Sequence, residues 1–262
     1  MRYIQKLANS GAVQTALDQE ELGKPYMVYL EDEHRIDWNG LSPTPPISAQ
    51  YLTIEVLSAG TISWKTKGIE PYAAAPIKTI QYSKNGGEWT SITSSTAGTS
   101  FSVNAGDVVR FKGNNKSYAP GIMYPSAYCW FNISAPFKLY GNIFSLSMGD
   151  NFTGETSDRI VDGHGMYGLF SDNSNLIEVT ELAFGRNVYS IALYGAYSFK
   201  NLFNGCTNLN YVKSLCNGIK QEMTTIFADW LANTSSTGTF VKHPDATWPG
   251  IPEGWTVVDA DI

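Results

Sequence analysis

The three histidines, His34, His164 and His243, stand in no HxH, HExxH or HxxxH relation. Zinc needs three or four convergent nitrogen, sulfur or carboxylate ligands, so this spacing gives no basis for a zinc centre. His34 lies in a charged turn, His164 between two glycines and His243 before Pro244. Cys129, Cys206 and Cys216 are too widely spaced for a metal knuckle or a disulfide framework, and buried free thiols are expected. No GxSxG, P-loop or GxGxxG sequence is present, so neither a nucleophile elbow nor a phosphate cradle is expected. Two carboxylates would suffice for glycoside hydrolysis. The densest groups are Glu31-Asp32-Glu33, which reads as a hairpin turn, and Asp158 with Asp162. The second pair shares a Gly-rich loop with Asp150 and Glu155, a composition open to calcium but without the EF-hand spacing. The reading is of a protein that is not an enzyme and holds no metal or cofactor.

The chemistry the chain does offer is aromatic. It carries 15 Tyr and 7 Trp, while charged residues make up only 16%. Its surface must therefore be built from hydroxyl, amide and aromatic groups, the composition of protein- and sugar-binding faces. The expected ligand loop comprises Tyr72, Tyr118, Tyr124, Tyr128 and Trp130, in two Pro- and Tyr-bearing stretches, 68–76 and 116–130. Flat apolar rings suit sugar rings, and neighbouring Asn and Ser supply hydrogen bonds. The alternative is that these stretches pack against a neighbouring subunit. A net charge of −6 without a long Lys/Arg cluster argues against nucleic acid. The absence of 18 consecutive apolar residues argues against a membrane-spanning helix. Met1–Leu7 lacks the apolar block of a signal peptide, the pattern expected of a protein assembled in the cytoplasm.

These residues need a mainly β scaffold. Residues 1–40 read as a small N-terminal unit, with a mildly helical Gly11–Leu22 and a hairpin of Tyr26–Leu30 and Arg35–Asn39. The unit is too small to bury its apolar strip of Tyr26, Val28, Leu30, Ile36 and Trp38, so it is expected to dock elsewhere as an anchor. Residues 41–50, with Pro43, Pro45 and Pro46, form a stiff linker. Residues 51–140 contain seven or more short alternating segments, including a hairpin at Asn85-Gly86, and read as a β-sandwich of jelly-roll or immunoglobulin-like kind. Within 141–262, Leu169, Phe170, Leu176, Val179 and Leu182 are answered 33 positions later by Leu202, Phe203, Leu209, Val212 and Leu215. An echo of this length predicts stacked units with those residues inside. Met223–Leu231 is expected as a final helix or loop, and the Trp248–Val257 tail as the cap a stack requires.

The segment Asn201–Leu209, Asn-Leu-Phe-Asn-Gly-Cys-Thr-Asn-Leu, resembles the MFxGCTxL unit of BspA-like leucine-rich repeats. Ser236–Lys242 with Gly250–Val257 is similar to the closing segment of such proteins in Bacteroides and their phages. Ile80–Thr90 with Ala105–Phe111 resembles the β domain that often precedes those repeats. Gly23–Tyr26 with Ile36–Asn39 resembles an N-terminal segment of virion proteins of Bacteroides phages, the crAss-like group included. The first unit departs from the pattern with Asp172-Asn173 where Gly-Cys is usual, and two units are recognisable, which implies a short capped solenoid. The resemblance implies a structural virion protein of a tailed phage, a head or tail fibre or decoration. It would be held to other virion proteins by its N-terminal segment, form a homo-oligomer with a trimer favoured, and possess a possible glycan ligand. A bacterial cell-surface adhesin of the BspA-like kind is the alternative.

Overall fold

Val109 and Phe111 point to one side of their strand and Arg110 and Lys112 to the other, a period of two that recurs in the strands β5 (Gly60–Gly68) and β10 (Ala127–Ile133). The computed structural model describes residues 50–68, 76–119, 127–152, 165–184 and 197–262, with the backbone of three short strands before them. Strand accounts for 41% of the chain, and the described helix is a single short turn, so the protein is mainly β. It divides into two compact units, Met1–Pro46 and Ile47–Ile262.

In the first unit, β1 (Ile4–Leu7), β2 (Met27–Leu30) and β3 (Arg35–Trp38) form one sheet in that order. β2 runs antiparallel to β3 and parallel to β1. Strand β1 was not foreseen, because its partner lies some twenty residues away and no turn signal links the two. The register pairs Val28 with Asp37 and Leu30 with Arg35, whereas Ile36 faces Tyr29 and Trp38 faces Met27. Tyr26 and the expected helix lie outside the described residues, as does the linker before Gln50.

The second unit has two layers. Its strands are β4 (Leu52–Val56), β5 (Gly60–Gly68), β6 (Thr79–Lys84), β7 (Thr90–Thr93), β8 (Thr99–Val103), β9 (Val108–Gly113), β10 (Ala127–Ile133) and β11 (Phe137–Asn142). After a short helix α1 (Ser145–Met148) come β12 (Leu176–Ala183), β13 (Tyr211–Ser214), β14 (Gly238–Lys242) and β15 (Trp255–Asp259). One layer is a nine-stranded sheet ordered β15-β14-β13-β12-β11-β4-β9-β6-β7, and the other is β10-β5-β8. The β6–β7 hairpin turns where expected, with Asn85 and Gly86 both at positive φ.

The expected division after Tyr140 falls inside β11, which pairs antiparallel with β4 on one side and parallel with β12 on the other. The small layer continues too, but as turns. Phe131 N–H donates to Leu169 C=O, Phe170 N–H to Leu202 C=O, and Phe203 N–H to Trp230 C=O. Each coil of chain thus bonds to the next on both sides, through strands in one layer and turns in the other. Met223–Leu231, expected as a helix or loop, is the turn of a third coil. The stacking of this segment as a third coil was not foreseen, because its anchors Phe227, Trp230 and Leu231 do not keep the spacing of the first two.

Between the layers the rings of Phe131 and Phe170 stand 5.1 Å apart, Phe170 and Phe203 5.9 Å, and Phe203 and Trp230 6.2 Å. Trp64 and Phe111 join the column at Phe131, and Trp248 closes its other end, stacked 5.1 Å from Trp230. Asn173 joins the first coil to β10. Its Oδ1 accepts from Ile133 N–H, and its Nδ2 donates to the carbonyls of Phe131 and Phe170. All the expected inward residues of the repeat are buried except Leu215, which is half-buried.

Two predictions follow from this packing. Phe203→Ala should cost roughly 3–5 kcal/mol. Because the ring column passes through both parts of the unit, fluorescence and circular dichroism melts of the variant should shift together. A β4–β11 region that melts independently would contradict the shared core. The second concerns Asp107, which accepts from Asn104 N–H at 2.8 Å and Asn85 Nδ2 at 2.7 Å, with Lys84 3.6 Å away. These bonds, the Asn104 amide foremost, hold its pKa below the ordinary carboxylate value. A depressed pKa gives stability that is present above the unfolded value of about 4 and is lost as pH falls through the folded value. Thermal melts from neutral pH downward should show Asp107→Asn losing stability at pH 7 and depending less on pH below about 4 than the parent does.

Candidate functional site

Strand alternation sorts β10 into an inner row, Cys129, Phe131 and Ile133, and an outer row, Tyr128, Trp130 and Asn132. On β5 it sends Ile62, Trp64 and Thr66 inward and Ser63, Lys65 and Lys67 outward. The antiparallel register then sets Tyr128 opposite Lys67 and Trp130 opposite Lys65. The Lys67 ammonium lies 4.8 Å from the centre of the Tyr128 ring and 5.8 Å from that of Trp130, and Lys65 lies 5.5 Å from Trp130. Contacts of this kind are worth about 0.5–1 kcal/mol at an exposed site. No carboxylate among the described residues lies within ion-pair distance of Lys65 or Lys67.

The row continues across the stacked turns. Tyr128 meets Tyr167 edge-on at 5.2 Å, and the Tyr167 hydroxyl accepts from Asn201 Nδ2 at 2.7 Å. Asn201 Oδ1 accepts from Asn204 Nδ2, and Asn204 Oδ1 from Asn233 Nδ2, each at 3.0 Å. Burial pushes the Tyr167 hydroxyl above its ordinary range, so it stays protonated at neutral pH. Lys200 lies 5.4 Å from the Tyr197 ring and 3.9 Å from Asp229. Such a face offers ammonium and amide donors between aromatic rings, which can bind the hydroxyls and acidic groups of a glycan.

The expected ligand loop is only partly assembled here. Tyr128 and Trp130 lie side by side on a strand instead of in a loop. Trp130 is half-buried and its Nε1 has no partner among the described residues, whereas Tyr128 is only 6% exposed beneath Lys67 and Tyr167. Tyr118 is corrected outright. It is fully buried, its ring packs 5.5 Å from Trp64, and its hydroxyl donates to Leu146 C=O at 2.6 Å. Burial holds that hydroxyl well above the ordinary tyrosine range. Its backbone carries the coil ladder, donating to Gly165 C=O and accepting from Cys129 N–H. A Tyr-bearing stretch beside Pro looked exposed, but the chain closes the end of the small layer there. Tyr72 and Tyr124 lie outside the described residues. Lys65, Lys67, Tyr167 and Asn201 were missed, although the Lys-Thr-Lys alternation of β5 signals a cationic strand face.

The three cysteines are buried, and burial pushes their thiols up, that of Cys206 to about 12. Thiols in that state are poor nucleophiles. No cluster of three metal-ligating side chains occurs among the described residues. Of the carboxylates weighed for calcium, Asp150 bonds to Tyr51 and Lys112, while Glu155, Asp158 and Asp162 lie outside the described residues. No protein-family model, curated protein or solved structure matches the chain. If this face binds glycan, Trp130→Ala with Lys67→Gln should keep the parent melting temperature and lose retention on immobilised mucin. Retention equal to the parent would exclude the face.

Proposed function

We propose that this protein is a non-enzymatic structural component of a tailed-phage virion, displayed as a head or tail fibre or decoration. In this reading the first unit is the anchor that docks on other virion proteins, with Tyr26, Val28, Leu30, Ile36 and Trp38 at the contact. The second unit faces outward, and its parallel coils are a short BspA-like leucine-rich-repeat solenoid. The observation that carries the reading is the setting of the family-like segment. Leu202, Phe203, Cys206 and Leu209 are all fully buried, and their coil stacks on the one bearing Leu169, Phe170 and Leu176. The division into two compact units supports separate docking and display roles.

Homo-oligomerisation, with a trimer favoured, would place several copies of the Lys65–Trp130 face on one particle. Weak single-site contact with host or mucosal glycan then becomes useful through local concentration. The decisive experiment is antibody labelling of particles and cells carrying this chain, together with a form that starts at Tyr51. The full chain should label purified virions, and the shortened form should fold but fail to incorporate. Label confined to the bacterial envelope would favour the cell-surface adhesin instead, and normal incorporation of the shortened form would remove the anchor role.

A further inference from the structure

On the outer face of the nine-stranded sheet, away from the β5–β10 face, Arg110 and Lys112 project from the same side of β9. Residues two apart on a strand stand about 7 Å apart. The two cations differ in how they are satisfied. Lys112 donates to both oxygens of Asp150, at 2.9 and 3.0 Å, and Asp150 also accepts the Tyr51 hydroxyl at 2.6 Å. Burial and that carboxylate raise the Tyr51 pKa to about 12, while the Tyr51 and Lys112 bonds keep the Asp150 carboxyl below its usual range. A phenol donor, a carboxylate and an ammonium are thus held together at neutral pH.

Arg110 is different. Its one described hydrogen bond runs from Nη2 to Ser83 Oγ at 3.3 Å. Its neighbours across the sheet are Thr53 and Ser83, neither of them charged. Glu55, on β4, faces Lys138, and no carboxylate among the described residues lies within ion-pair distance of the guanidinium. A half-buried guanidinium is a planar fork that matches a carboxylate. Around it stand Tyr51 and Trp89, with ring centres 6.0 and 5.8 Å from the guanidinium carbon and 5.0 Å from each other. The Lys112 ammonium sits 4.3 Å from the Trp89 ring. Lys112 and Asp150, but not Arg110, Tyr51 or Trp89, also line an adjoining recess of about 280 Å3 together with Gln81, Ser91 and Asn114. Amide, hydroxyl, ammonium and carboxylate groups lining one small recess can pair with the vicinal hydroxyls of a pyranose.

We propose that the Arg110–Trp89 surface and this adjoining recess, joined through Lys112, together form a binding site for a single acidic sugar residue, a hexuronate or a related sugar acid. The sugar carboxylate would take the Arg110 fork, its hydroxyls would bond to Lys112 and Asp150, and its ring would lie against Trp89. The site stands on this chain alone and does not depend on a virion role. It is also distinct from the Lys65–Trp130 face, since it lies on the other sheet.

The test uses the purified full chain and saturation-transfer NMR titration with glucuronate, with glucose and acetate as probes of the two halves of the ligand. Glucuronate should saturate and bind at least about tenfold more tightly than either control. Arg110→Gln should bring glucuronate down to the level of glucose, and Trp89→Ala should lose both sugars, each variant checked for a parent-like melting curve. The preference of the unaltered chain for glucuronate over glucose needs no variant, so a misfolded mutant leaves the test intact. Absence of saturation by glucuronate would overturn the proposal. So would acetate binding as well as glucuronate, or a folded Arg110→Gln with unchanged glucuronate affinity.

Discussion

The column of rings from Phe131 through Phe170 and Phe203 to Trp230 is the contact on which the second unit depends. Hydrogen-bonded strands repeat about every 4.8 Å, and packed layers stand about 10 Å apart. An aromatic ring inserted between the layers at each coil fills that gap. The observed spacings of 5.1 to 6.2 Å exceed the strand repeat modestly, as offset rings require. Because Phe131 belongs to β10 and Phe170 to the first coil, the same column serves the sandwich and the stack. Neither can close its apolar interior without the other.

The junction explains why the first coil departs from the family-like pattern. The position filled by Cys206 in the second coil is filled by Asn173 in the first. Cys206 has another coil as its neighbour and donates its thiol to Phe170 C=O. Asn173 abuts a sandwich strand and must satisfy both an N–H and a C=O of β10, which an amide does with stronger bonds than a thiol, a weak donor and weak acceptor. Gly205 is required for a related reason. It has φ +80°, and a Cβ there would collide with Asp172 of the preceding coil. Asp172 itself takes positive φ at the equivalent place.

Charge is sparse in this chain, and where it is paired separates scaffold from candidate sites. Along the parallel strands Lys138 pairs with Glu178, Lys213 with Glu181 and Lys242 with Asp259, so that part of the wall is balanced from strand to strand. Exposed pairs of this kind add little stability, typically under about 1 kcal/mol each. Their effect is to leave few strong fields on the surface. Lys65, Lys67 and Arg110 stand outside this balance among the described residues, and each is flanked by aromatic rings. Both candidate binding surfaces follow from that combination.

Much of the architecture was legible in the sequence because it is local. Alternation marked the strands, Asn85-Gly86 marked its turn, and the 33-residue echo marked the inward-facing residues of two coils. Tyr128 and Trp130 were recognisable as a pair worth attention. Tertiary structure decided the rest, since it depends on contacts far apart in the chain. The register of β10 on β5 brought Lys67 to Tyr128, and closure of the small layer drew Tyr118 into the core. The parallel pairing of β11 with β12 erased the expected boundary after Tyr140. Asp150 meets Lys112 and Tyr51 only because the chain returns to β9 after α1. Side-chain type sets what each group can bond, but which groups converge is settled by strand register and by the packing of rings between two layers.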